Sequence, residues 1–112
     1  MENSNGSRAA PAIIIRMPHV YILRCSDGSY YVGSTWQLDA RVEQHTSGHG
    51  AEYTKRRLPV ELVFSQEYDR VDEAFAMEKR IQGWSRAKRE ALISGELHRL
   101  PGLSKKVWKR RE

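Results

Sequence analysis

The feature that most constrains this chain is a tight turn between two runs that both read as strands. From His19 to Cys25 the sequence HVYILRC is β-branched and aromatic, and the run SYYVGST from Ser29 to Thr35 repeats that character with a glycine near its end. Between them lies Ser26-Asp27-Gly28, turn chemistry that joins antiparallel neighbours. Two strands alone are marginal in water, so the hairpin must be covered by the rest of the chain. Its register decides what the covered faces carry. A two-residue Asp27-Gly28 turn would pair Arg24 with Tyr31 and send Tyr21 and Tyr31 to opposite faces. A three-residue Ser26-Asp27-Gly28 loop, with Gly28 left-handed, pairs Leu23 with Tyr31 and puts both tyrosines on one face. The second register is the one expected.

The covering elements follow along the chain. Gln37 to Gly48 has helical spacing, with Leu38 and Val42 as its apolar pair, Asp39 in the first turn and Gly48 as a stop. His49 to Leu58, which contains Lys55-Arg56-Arg57 ahead of Pro59, reads as a loop. Val60, Leu62 and Phe64 alternate with Glu61, Val63 and Ser65, a half-buried strand. Arg70 to Trp84 returns to the helical period, Ser85 stands as an N-cap, and Arg86 to Ile93 forms a last helix closed by Gly95. The order strand, strand, helix, strand, helix, helix predicts a small α+β domain with helices packed on an antiparallel sheet. Residues 1–16 are small, polar and aperiodic and are expected to be a flexible extension. Residues 17–97 form the domain, and 98–112 a basic tail.

Composition narrows the function classes. The chain has 112 residues, enough for one domain, and a single cysteine, Cys25, which closes no intramolecular disulfide and builds no thiolate-rich zinc site. A reducing, cytoplasmic setting and no disulfide-linked partner are expected. No apolar run approaches the roughly 18 residues of a membrane span, so no membrane partner is expected. Nineteen Lys and Arg against fourteen Asp and Glu give a net charge of +5, compatible with a polyanionic partner. Neither a Ser-His-Asp order, a P-loop nor a dinucleotide fingerprint is present.

Some residues sit where packing alone would not put them. With Leu38 at 0° on a helical wheel, Val42 falls at about 40°, His45 at about −20° and Arg41 at about −60°, so Arg41 and His45 border the buried stripe. They are either a snorkelling arginine and a hydrogen-bonded core histidine, or an anion-binding and proton-transferring pair. With Ala74 at 0°, Met77 falls at about −60°, Glu78 at about 40° and Ile81 at about −20°, which sets a carboxylate inside an apolar stripe. An unpaired buried carboxylate costs several kcal/mol, so Glu78 requires a cation, a hydrogen-bond donor or a metal. His45 and His49 have i,i+4 spacing, but Gly48 ends the helix between them, which argues against a zinc pair. Lys55, Arg56 and Arg57 are a solvated charge run or, beside a polar cleft, a phosphate-contacting patch.

These pieces together resemble the GIY-YIG endonuclease domain, most of all its small stand-alone bacterial members. The resemblance rests on Val20-Tyr21-Ile22, Tyr31-Val32-Gly33, Arg41 and His45 in ARVEQH, and Glu78 in FAMEKR, in order and spacing, and covers roughly Pro18 to Gly95. It implies a three-stranded antiparallel sheet flanked by helices and metal-dependent hydrolysis of DNA phosphodiesters, structure-selective and in repair or recombination. It implies catalytic roles for Tyr21, Tyr31, Arg41 and His45, and a metal-binding role for Glu78. His19 stands where the first motif has glycine, and no asparagine follows the glutamate, since Asn3 and Asn5 are the only two in the chain. The alternative is a nucleic-acid-binding module with a degenerate nuclease site.

The chemistry suits these residue types. Phosphodiester cleavage needs a deprotonated water, neutralised phosphoryl charge and help for the leaving oxygen. Arg41 can brace phosphoryl oxygens, Tyr21, Tyr31 or His45 can relay a proton, and Glu78 can hold a metal. With no carboxylate cluster near Glu78 in sequence, a single divalent ion, Mg²⁺ or Mn²⁺, is expected, since Mg²⁺ keeps several waters and takes only one or two protein carboxylates. The partner that the resemblance implies is DNA, whether duplex, branched or single-stranded.

Overall fold

The computed structural model describes residues 17–96. The expected extension over residues 1–16 and the basic tail over 98–112 lie outside them, as does residue 97. In chain order the elements are β1 (His19–Arg24), β2 (Tyr30–Thr35), α1 (Leu38–Thr46), α2 (Glu52–Lys55), β3 (Glu61–Glu67), α3 (Val71–Gln82) and α4 (Arg86–Ser94). The strands form an antiparallel sheet in the order β2-β1-β3. This is the expected α+β arrangement, three strands flanked by helices. Among the described residues no helix is long and apolar enough to cross a membrane.

β1 is central and covered on both sides, which is why Val20, Tyr21, Ile22 and Leu23 read as an uninterrupted apolar run and are all buried. The hairpin adopts the three-residue loop. Leu23 pairs with Tyr31 and Tyr21 with Gly33, the Cys25 N–H bonds to Ser29 O at 2.8 Å, and Gly28 has φ +86°. Asp27 fixes the turn by accepting from both the N–H and the hydroxyl of Ser29, at 3.0 and 2.6 Å.

One face of the sheet carries Val20, Ile22 and Val32 against Ala74, Met77 and Ile81 of α3, Ala91 and Leu92 of α4, and Tyr68 and Trp84. Burying a side chain such as Ile81 contributes about 1.5–3 kcal/mol, so this face supplies most of the driving force for folding. Ser85 caps α4 by accepting from Lys88 N–H, and Gly95 ends it in the left-handed conformation, as the spacing predicts. Arg89 donates to the carbonyls of Ile81 and Gln82, closing the end of α3. The opposite face holds Tyr21, Leu23, Cys25 and Val60, with Tyr31 and Leu38 packed against them.

Two expectations change. Glu52–Lys55 is a helical turn rather than loop. The strict alternation expected in β3 also breaks: Ile22 pairs with Phe64 but Leu23 pairs with Leu62, so Val63 is a bulge residue. Leu62 is consequently exposed, while Val63 and Phe64 both pack on the α3–α4 side.

Candidate active site

The hairpin register brings Tyr21 and Tyr31 onto the α1 side of the sheet, where α1 delivers His45 between them. Ring centroids lie 6.4 Å apart for Tyr21 and Tyr31, 5.7 Å for Tyr21 and His45, and 5.1 Å for Tyr31 and His45. Two glycines make room for this. Gly33 lies directly across from Tyr21, and a Cβ there would stand 2.5 Å from the tyrosine hydroxyl oxygen; Gly50 lies against the His45 ring, which any side chain would strike.

His45 is fully buried and is bonded at both ring nitrogens. Its Nδ1 lies 2.8 Å from Thr54 Oγ1, and its Nε2 lies 2.9 Å from the Tyr21 hydroxyl. The Thr54 hydroxyl gives its one proton to Ala51 O at 3.0 Å, so it accepts from His45 Nδ1–H. That leaves Nε2 bare, and the Tyr21 hydroxyl donates to it. Thr54, carried by the short α2, thereby sets the tautomer of a histidine on α1 and the direction of a hydrogen bond from β1. Burial, and then the Arg41 charge, hold the imidazole pKa down at about 4. Burial raises the Tyr21 phenol above its ordinary value, opposed by the Arg41 guanidinium beside it and reinforced by Tyr31 and Glu78. The two readings of His45 thus merge: it is a satisfied core histidine and also the acceptor of the Tyr21 proton. Arg41 is half-buried and donates to Gln44 Oε1 at 2.7 Å.

Glu78 approaches from the other side. It lies on α3, half-buried, and accepts from the Ser34 hydroxyl at 2.6 Å and from Gln82 Nε2 at 2.9 Å. Gln82 Nε2 also lies 3.2 Å from the carbonyl of Val32 on the edge strand. Ser34 shares the face of Val20 and Val32, so Glu78 meets β2 from the α3 side while Tyr21 and Tyr31 lie on the α1 side. The site therefore straddles the edge strand, and the Glu78 charge is felt by Tyr21 across it. The partner that the sequence required for Glu78 is a pair of neutral donors, and among the described residues no cation pairs with it.

No group of three or more His, Cys, Asp or Glu side chains is gathered among the described residues, which argues against a protein cage for zinc or for two metals. A half-exposed carboxylate beside a hydroxyl offers hard oxygen donors with open positions, and this fits an ion such as Mg²⁺ that retains most of its waters. His49 is exposed and bonded to Ser47, and both nitrogens of His45 are engaged, so these histidines do not form a metal pair.

The basic run divides. Lys55 and Arg56 are exposed and both reach Glu52, at 3.7 and 2.8 Å. Arg57 turns toward the tyrosines: it pairs with Asp27 at 3.1 Å and lies 3.8 Å from the centroid of the Tyr53 ring, which stacks 6.1 Å from Tyr31. Of the expected site residues, Tyr21, Tyr31, Arg41 and His45 converge directly. Arg57 borders them, Glu78 lies across the edge strand, and Lys55 and Arg56 stand outside.

Comparison with known proteins identifies this framework. Residues 17–91 match the model of the GIY-YIG catalytic domain. The chain belongs to the GIY-YIG family. A UPF0213 protein of Halobacterium salinarum is 47% identical over 77 residues, covering 69% of this chain and 100% of that one. A UPF0213 protein of Staphylococcus aureus is 47% identical over 74 residues, covering 66% of this chain and 90% of that one. Among solved structures, the solution NMR structure of the E. faecalis protein EF2693 is 32% identical with a TM-score of 0.51, covering 71% of this chain and 85% of that one. The NMR structure of the UPF0213 protein of Bacillus halodurans is 43% identical, with a TM-score of 0.47 over 69% of this chain and 82% of that one.

Within this GIY-YIG domain, His19 at the first-motif glycine position opens β1, its ring bonded to Met17 O at 2.9 Å, and leaves the strand undisturbed. Sequence reasoning missed Thr54, Ser34, Gln82 and Tyr53. Gln82 alone carried a signal, standing four residues after Glu78 on one helical face. Ser34 and Thr54 become visible only when the strands and α2 are in place.

Proposed function

We propose that this GIY-YIG protein is a metal-dependent endonuclease that hydrolyses DNA phosphodiester bonds, structure-selective and acting in repair or recombination. The observation that carries this reading is the buried Tyr21–His45–Thr54 chain of hydrogen bonds set beside a carboxylate that no cation pairs among the described residues.

Tyr21 and His45 form the proton-accepting unit. As a water attacks phosphorus, Tyr21 Oη takes its proton and passes its own to His45 Nε2, a path aimed in advance by the Thr54–Nδ1 bond. In the resting protein the low imidazole pKa disfavours that charge, and the negative phosphodiester arriving beside it shifts the balance toward imidazolium. Arg41 neutralises charge building on the phosphoryl oxygens. The Tyr31 hydroxyl, half-exposed and without a hydrogen-bond partner among the described residues, donates to the leaving oxygen. Glu78 would hold the divalent ion, which would supply acidification of a water and offset phosphoryl charge. Arg57, with Lys55 and Arg56 on the exposed side of the same segment, contacts flanking phosphates.

The test is a panel of labelled linear, branched and single-stranded DNAs incubated with the protein in Mg²⁺, Mn²⁺ or EDTA. Metal-dependent nicking of at least one DNA supports the assignment. Salt-sensitive binding of every DNA without nicking would replace it with a non-catalytic binding module.

A further inference from the structure

Trp36 stands at the bend between β2 and α1 and leaves 49% of its surface exposed. It is not displaced by a loose backbone, because Gln37 N–H bonds to Thr35 Oγ1 at 3.1 Å across it and pins the bend. The other exposed aromatic rings among the described residues carry a cation: Arg57 lies over Tyr53 and Lys79 over Phe75. The Trp36 ring has no such cover and no stacking partner among the described residues. It borders an open hollow of about 650 Å³ lined by Ser34, Thr35 and Gln37, and Ser34 is the residue that donates to Glu78. Trp36 is two residues beyond Ser34, at most about 7 Å along the chain.

We propose that Trp36 is a stacking platform for an unpaired nucleobase adjoining the scissile phosphodiester, so that DNA with exposed bases is the substrate class. This rests on the nuclease reading and deepens it. A free indole face beside hydroxyl and amide groups offers what a base requires, one flat surface and hydrogen-bond partners at its edge. It does not offer what a protein partner requires, since four residues line it and a stable protein interface needs on the order of 1,000 Å². Bases in a continuous duplex have both faces covered by their neighbours, so the platform selects single-stranded, splayed or flapped nucleotides.

The experiment measures binding, in EDTA, of fluorescein-labelled oligothymidylate and of a blunt-ended duplex to the full chain and to Trp36→Ala and Trp36→Phe. Trp36→Ala should weaken oligothymidylate binding about tenfold, leave duplex binding nearly unchanged, and leave the melting temperature unchanged. Trp36→Phe should restore most of the affinity. Unchanged oligothymidylate affinity in Trp36→Ala, or an equal loss on both DNAs, overturns the platform while leaving the nuclease assignment standing. Failure of the unmutated protein to bind either DNA overturns both.

Discussion

On the α3–α4 side of the sheet, Val20, Ile22 and Val32 meet Ala74, Met77, Ile81, Ala91, Leu92, Tyr68 and Trp84, an interior built mainly of aliphatic and aromatic side chains. On the α1–α2 side, Leu23, Cys25 and Val60 share the interior with a phenol, an imidazole and a threonine hydroxyl, all buried. Both sides bury the alternate residues of the same central strand, so strand propensity does not distinguish them. The difference lies in what the helices bring. One pair brings side chains whose burial is favourable in itself, and the other brings groups tolerated only because each hydrogen bond is made. Stability should therefore be most sensitive on the first side, and chemistry and pH response on the second.

The largest expected effect tests the first half of that contrast. Ile81→Ala, at a fully buried position, should lose about 2–5 kcal/mol in urea denaturation, yet cleavage per folded molecule should not change. A proportionate loss of cleavage would show that the apolar side also positions the chemistry.

The pH response sharpens the second half. The unfolded chain protonates its histidine near 6.5, whereas folded His45 resists until about 4. As pH falls below 6.5 the unfolded state takes the proton first, so stability should drop by as much as about 3 kcal/mol between pH 6.5 and 4, with no such change above pH 7. Melts of the unmutated protein and of His45→Gln across this window check it, because the variant lacks that slope while every carboxylate titrates in both.

Smaller still is the effect of Tyr21→Phe, which keeps the ring seated over Gly33 but leaves His45 Nε2 without a donor. A loss of about 1–3 kcal/mol is expected in urea denaturation, together with loss of cleavage far beyond the change in folded fraction. Retained cleavage would remove Tyr21 from the proton path.

These contrasts also show what was legible in the sequence. Asp27 and Gly28 made the hairpin legible but allowed two registers, and the requirement that both tyrosines share one face selected the three-residue loop that the structure has, while α4 was legible because Ser85 and Gly95 cap it locally. α2 escaped because a four-residue helix has no periodicity to read, and the Thr54 hydroxyl that bonds its Ala51 carbonyl is anchored by a histidine nine positions earlier. The β3 alternation failed at Val63 because a bulge depends on how two strands twist against each other, not on either sequence alone. For the site, Glu78 was conspicuous as a charge inside an apolar stripe. Its actual partners, Ser34 and Gln82, are neutral and gave no comparable contrast.

The most direct test is Glu78→Gln, read for both melting temperature and metal-dependent cleavage. The new amide oxygen can still accept from Gln82 Nε2, which keeps its bond to Val32 O, the new amide NH₂ can donate to the Ser34 hydroxyl oxygen, and no buried cation is stranded among the described residues, so stability should change by less than about 1 kcal/mol or rise slightly. Cleavage should be abolished. A strongly destabilised Glu78→Gln protein that still cleaves DNA, after correction for its folded fraction, would contradict the account, because the carboxylate would then serve the fold and not the metal.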